Sequence, residues 1–131
     1  GIYALQACRY LTSEEPTEVF ALETKTDPVK FAEVDETITW SMKFPNGVLA
    51  NCSTSYNFNG VNRYRAYCDQ GEFGLDTAFS YNGLKGSSSK GPIEFQEGDQ
   101  FAAEMDAFAR TILMDEPNRV PGEEGLRDLL V

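Results

Sequence analysis

The polar and apolar positions divide the chain into helical ends and a β-rich middle. In Gly1–Leu11 only Gln6 and Arg9 are strongly polar; Ile2, Leu5 and Cys8 fall on one helical face, with Tyr3, Ala7 and Tyr10 beside it. That spacing predicts a helix buried on most sides. Glu18–Thr26 is a first strand. Thr37–Phe44 alternates, with Ile38, Trp40, Met42 and Phe44 on one face and Thr39, Ser41 and Lys43 on the other, the period of a half-buried strand. Phe44-Pro45-Asn46-Gly47 follows; Pro presets φ and Asn-Gly tolerates positive φ, so a hairpin turn is expected. Its return strand, Val48–Tyr56, puts Ala50, Cys52, Thr54 and Tyr56 on one face and Asn51, Ser53 and Ser55 on the other. The second face, small and polar, suits solvent or another subunit.

Asn62–Cys68 reads as a further strand, turned by Asp69-Gln70-Gly71 into Glu72–Leu75. Tyr81-Asn82-Gly83-Leu84 carries a second Asn-Gly turn signal. Ser87-Ser88-Ser89 reads as a flexible loop before Pro92–Phe95. Phe101, Met105, Phe108 and Ile112 recur at helical spacing, and that amphipathic helix ends near Glu116-Pro117. Pro121-Gly122-Glu123-Glu124 starts a last helix, with acidic groups where the dipole favours them. Helix, antiparallel strands, helix, helix predicts an α+β fold: an open, mostly antiparallel sheet with helices packed on one face. Neither terminal helix has the signal expected at its outer end: no capping residue precedes the first, and no C-terminal stop follows the last. The reading is a single domain, 1–131, trimmed from a larger protein.

Composition narrows the chemistry. With 11 basic and 21 acidic side chains the net charge is −10, which argues against nucleic acid and anionic membrane surfaces as partners. No run reaches the length of a membrane span. The chain has no histidine, which removes the commonest general base, the commonest zinc ligand and the Ser-His and Cys-His nucleophile pairs. Cys8, Cys52 and Cys68 form no Cys-x-x-Cys pair; three reduced, mostly buried thiols are expected, and with them a reducing compartment. No Gly-x-Gly-x-x-Gly and no phosphate loop is present, so the chain should not hold a dinucleotide alone. No carboxylate and thiol cluster has metal-ligand spacing. Glu14-Glu15 and Glu123-Glu124 read as solvated pairs. In Arg63-Tyr64-Arg65-Ala66-Tyr67, the face of Arg63, Arg65 and Tyr67 is better suited to sheet packing or an intersubunit ion pair than to nucleic acid. By residue type alone, Tyr3 on a nearly apolar helix is a core aromatic; its phenol is also a group able to donate a proton.

A set of short blocks goes further. Gly1-Ile2-Tyr3, Arg9-Tyr10-Leu11, Glu14-Glu15-Pro16, Asp35-Glu36-Thr37, Phe44-Pro45-Asn46-Gly47, Asn51-Cys52-Ser53-Thr54-Ser55-Tyr56-Asn57 and Asn82-Gly83-Leu84 together resemble the glucose-fructose oxidoreductase, inositol dehydrogenase and MocA family, glucose-fructose oxidoreductase-type members above all. The resemblance runs in order over nearly the whole chain. It implies the carboxy-terminal, substrate-side domain of a two-domain enzyme whose amino-terminal Rossmann domain lies outside these residues. The implied reaction is hydride transfer between NAD or NADP and a sugar or polyol, with no cofactor held by this piece alone. It also implies a homo-oligomer formed through the sheet face. The family's motif of Asp, any residue, Gly, any residue, then His or Tyr is matched at Gly1 and Tyr3; its Asp falls two residues before Gly1, and the Glu-Lys-Pro lysine falls in the absent domain. Tyr3 is thus the one catalytic position the resemblance carries over, as proton donor or acceptor at the reacting oxygen. The piece alone is expected to be inert. A cytoplasmic location is expected, or a periplasmic one if a signal segment precedes these residues. Two rival readings remain: a non-catalytic module that dimerises through its sheet, and a free-standing protein binding a small apolar ligand in the sheet's concavity.

Overall fold

A computed structural model describes residues 1–131. The order is α1 (Ile2–Thr12), β1 (Glu18–Thr24), β2 (Thr37–Lys43), β3 (Leu49–Ser55), β4 (Arg63–Cys68), β5 (Gly71–Asp76), β6 (Gly86–Ser88), β7 (Gly91–Ile93), α2 (Gln100–Met114) and α3 (Gly122–Leu130). The fold is α+β and its strands pair antiparallel throughout. They divide between an open three-stranded sheet, β1-β2-β3, and an open four-stranded one, β4-β5-β6-β7. The chain forms two compact units, residues 1–61 with Val131 and residues 62–130.

In the first unit, β1 and β3 flank β2, with Ala21 opposite Trp40 and Trp40 opposite Cys52. The expected alternation in β2 holds: Met42 and Phe44 are buried, at 2% and 1% exposure, while Thr39, Ser41 and Lys43 face solvent. The hairpin closes as its residues predict. The Gly47 amide donates to the Phe44 carbonyl (2.9 Å), the Phe44 amide to the Val48 carbonyl (2.9 Å), and Gly47 takes φ 87°, a region where a β-carbon is strained. The Glu14 carboxylate accepts from the Asn46 amide (3.2 Å), tying the turn to the segment after α1.

On the outward face the small polar residues form a ladder. Thr37 and Ser55 hydroxyls lie 2.7 Å apart, Thr39 donates to Ser53 (3.1 Å) and Ser41 to Asn51 (2.8 Å). β1 adds Phe20, opposite Ser41, and Leu22, opposite Thr39; both are exposed.

α1 lies against β3, but its expected burial on most sides does not occur. Ile2, Tyr3, Tyr10 and Leu11 are exposed, and the buried residue of the helix is Arg9. Apolar spacing fixes which faces of a helix are apolar, not how many neighbours cover them; one sheet covers one face.

In the second unit, Arg63 and Arg65 on β4 meet carboxylates of β5, Arg63 with Asp76 (3.9 Å) and Arg65 with Glu72 (2.7 Å). The arginine face thus makes ion pairs with the neighbouring strand of its own sheet. Asn62 precedes the strand and ties down the 77–80 loop: its side-chain carbonyl accepts from the Phe79 amide (2.6 Å) and its side-chain amide donates to the Ser80 hydroxyl (2.9 Å). Ser87 and Ser88 are not a loop. They belong to β6, where Ser88 pairs with Phe73 and with Gly91, and its hydroxyl donates to the Gly91 carbonyl (3.2 Å). Pairing on both sides outweighs the weak strand preference of serine. α2 is capped by Asp99, whose carboxylate accepts from the Phe101 and Ala102 amides. Its stripe of Phe101, Met105, Phe108 and Ile112 is exposed.

Candidate functional site

The candidate site is the amino-terminal turn of α1 and the sheet surface beneath it. Gly1 caps the helix with its backbone: its carbonyl accepts from the Ala4 (3.1 Å) and Leu5 (3.3 Å) amides. A β-carbon at Gly1 would lie 3.2 Å from the Thr54 methyl and 3.6 Å from the Trp40 ring. The first turn therefore sits close on β2 and β3 because residue 1 has no side chain. Tyr3 follows in that turn and is 58% exposed, so the core-aromatic reading of Tyr3 is wrong. A phenol on a fixed helical turn and open to a ligand can exchange a proton with a bound hydroxyl.

The other end of α1 is held by Arg9, which is 8% exposed. Its guanidinium donates twice to Glu15, from Nε to Oε2 (2.7 Å) and from Nη2 to Oε1 (2.6 Å), the forked geometry that makes arginine–carboxylate pairs specific. Glu15 keeps half of its surface in solvent, as expected of a solvated carboxylate, and also anchors Arg9. The Thr12 hydroxyl donates to the Cys8 carbonyl (2.9 Å), and Ser13, at φ 55°, turns the chain out of the helix.

The 25–36 loop carries a residue the sequence did not single out by chemistry. Glu36 is 4% exposed and accepts from the Thr26 amide (2.6 Å), the Thr26 hydroxyl (2.8 Å), the Asp27 amide (3.2 Å) and the Asn57 side-chain amide. Those donors, the Thr26 amide first, hold its carboxyl below the ordinary glutamate range. Phe31 is buried in the same loop and stacks on Tyr56, with ring centroids 5.8 Å apart. The sequence signal was only an acidic residue inside the Asp35-Glu36-Thr37 block.

Two cysteines also meet. The Cys8 and Cys52 sulfurs lie 3.6 Å apart, one from α1 and one from β3. Both are half-buried, while Cys68 is exposed, so the expectation of mostly buried thiols fails at Cys68, the last residue of β4, next to the turn at 69–70.

A nicotinamide dinucleotide does not fit the residues present. Its pyrophosphate needs free amides at a helix start reached from a glycine-rich turn after a parallel strand. Every strand pair here is antiparallel. The first-turn amides of α2 are taken by Asp99, and Glu123 and Glu124 occupy the first turn of α3. α1 starts with no acidic residue, but its only basic residue is Arg9, in its last turn. No group of three or more His, Cys, Asp or Glu side chains gathers to hold a metal. No helix is long and apolar enough to cross a membrane.

An α+β domain of antiparallel sheets, with a glycine-seated helix presenting a tyrosine, is the class these features define. Residues 1–74 match the GFO/IDH/MocA C-terminal domain, and the chain belongs to that family. Among solved structures it is similar to the aldose-aldose oxidoreductase from Caulobacter crescentus in complex with glycerol, at 40% identity and a TM-score of 0.91, covering 99% of this chain and 41% of that one. The UDP-N-acetylglucosamine 3-dehydrogenase from Acidithiobacillus ferrooxidans shares the fold, at 23% identity and a TM-score of 0.79 over 98% of this chain and 42% of that one. The chain thus spans about two fifths of the length of each of these structures.

Proposed function

We propose that this chain is the substrate-side domain of an NAD- or NADP-dependent oxidoreductase that transfers hydride between the nicotinamide and a sugar or polyol. The observation that carries this reading is Tyr3, exposed at the start of a helix that Gly1 seats on Trp40 and Thr54. In a chain without histidine, a phenol is the group on that turn suited to proton exchange with a substrate hydroxyl or carbonyl oxygen. Hydride chemistry belongs to the cofactor, and the protein supplies orientation and proton traffic. The nicotinamide is held by a polypeptide segment beyond these residues, and Tyr3 gives a proton to, or takes one from, the reacting oxygen. The apolar stripe of α2, exposed at Met105 and Ile112, supports a domain that works as part of a larger protein. The single domain 1–131 acts there as the substrate and oligomerisation half, in the cytoplasm.

By itself the chain is inert. Titration of the 131-residue chain with NADPH, followed by fluorescence, is expected to give no saturable signal; saturable binding contradicts the reading. The coding sequence upstream of Gly1 tests it further. A Gly-x-Gly-x-x-Gly after a strand, then Glu-Lys-Pro, then Asp two residues before Gly1 is expected. A start codon directly before Gly1 contradicts it and favours a module that dimerises through its sheet without chemistry. That second reading draws on the outward face of β1-β2-β3, where Phe20 and Leu22 stand exposed beside a ladder of small polar residues. The same face is the homo-oligomer interface in the enzyme reading.

A further inference from the structure

We propose that Cys8 and Cys52 are a redox pair that closes to a disulfide when the chain meets a low-molecular-weight disulfide, covalently clipping α1 to β3. The two sulfurs belong to elements separated by 43 intervening residues (|i−j| = 44) and lie 3.6 Å apart, in contact but not bonded. Closure requires them to approach to about 2.0 Å. Both thiols are half-buried, open enough for a small disulfide such as oxidised glutathione to reach one of them.

The pair is chemically unequal. The hydrogen bond shared by the two thiols holds the Cys8 thiol below its ordinary range against the opposing effect of burial. The same hydrogen bond, burial and the charge on Cys8 push the Cys52 thiol up. Cys8 is therefore the attacking sulfur, since the thiolate is the nucleophile. It displaces one glutathione thiolate and forms a mixed disulfide. Cys52 then gives up its proton and attacks the Cys8 sulfur, expelling the second glutathione thiolate. Two protein thiols lose two protons and two electrons; one glutathione disulfide becomes two glutathione thiols.

Closure would fix the helix that carries Tyr3. That consequence rests on the functional reading above; closure itself does not, and the test reads closure without activity. The chain with Cys68→Ser, which removes the exposed third thiol, is equilibrated in a series of reduced and oxidised glutathione, quenched in acid and alkylated. Peptide mapping by mass is expected to show Cys8 and Cys52 peptides joined with the loss of two hydrogens, both thiols losing alkylation in parallel. Adding Cys52→Ser is expected to halt the reaction at the Cys8–glutathione disulfide. Alkylation of both thiols throughout the series, or a stable glutathione adduct on Cys8 with Cys52 still free, would overturn the proposal. If Cys52→Ser does not fold, the mapping on the Cys68→Ser chain decides alone.

Discussion

Gly1 faces Thr54 across a gap that a single added carbon nearly fills: its β-carbon would lie 3.2 Å from the Thr54 methyl. This contact fixes how closely the first turn of α1, and with it Tyr3, approaches the β1-β2-β3 sheet. Gly1→Ala is expected to destabilise the chain by about 1 kcal/mol through overpacking. Thr54→Ser removes the methyl, so the double variant should recover most of the loss. Chemical denaturation of the two single variants and the double checks this. Additive losses would mean that Gly1 serves some other need.

Arg9 and Glu15 should behave as a pair. Arg9→Met leaves Glu15 without its forked donor and removes a largely buried charge, at an expected cost of about 2 kcal/mol. Glu15→Gln takes the charge from one side of the fork and, with Glu15 half exposed, should cost less, about 1 kcal/mol. A double-mutant cycle by urea unfolding is expected to show a strong coupling between them.

Glu36 sets an acid limit on stability. Its carboxyl is held below the ordinary range by the Thr26 and Asp27 amides, the Thr26 hydroxyl and Asn57. A depressed folded-state pKa contributes stability that is complete above the unfolded value, about 4.3. That contribution is lost as pH falls below it and through the folded value. Thermal unfolding midpoints measured from neutral pH into acid should therefore fall in this window. Glu36→Gln should lower the midpoint at neutral pH and flatten the acid limb.

Much of this architecture was legible from residue pattern. The Ile38, Trp40, Met42, Phe44 alternation named the buried face of β2, and Pro45-Asn46-Gly47 named its turn, because strand period and positive φ are local properties. The faces of α1 and β3 were also named, with Cys8 on one and Cys52 on the other; that these faces meet was not, because the meeting depends on packing between residues 44 apart. The exposure of α1, Tyr3 included, was not legible for a related reason: a spacing says that a face is apolar, and only the neighbours decide whether it is covered. Ser87 and Ser88 read as a loop by composition because pairing to β5 and β7 is a non-local gain that composition does not show.

The outward sheet face gives a further expectation. If it joins two copies, light scattering of the chain at rising concentration should report a dimer. Leu22→Lys, on the exposed β1 row, should then return a monomer without loss of fold by circular dichroism. A monomer at all concentrations would count against this interface.

The most direct test is Tyr3→Phe in the polypeptide that joins this chain to a dinucleotide-binding domain, assayed with sugar and polyol substrates. The substitution keeps the ring and removes only the hydroxyl. The account predicts a fall in kcat of about 10²–10⁴-fold, cofactor binding retained and the pH profile of kcat altered. A kcat and pH profile equal to those of the unaltered enzyme would contradict the catalytic role of Tyr3.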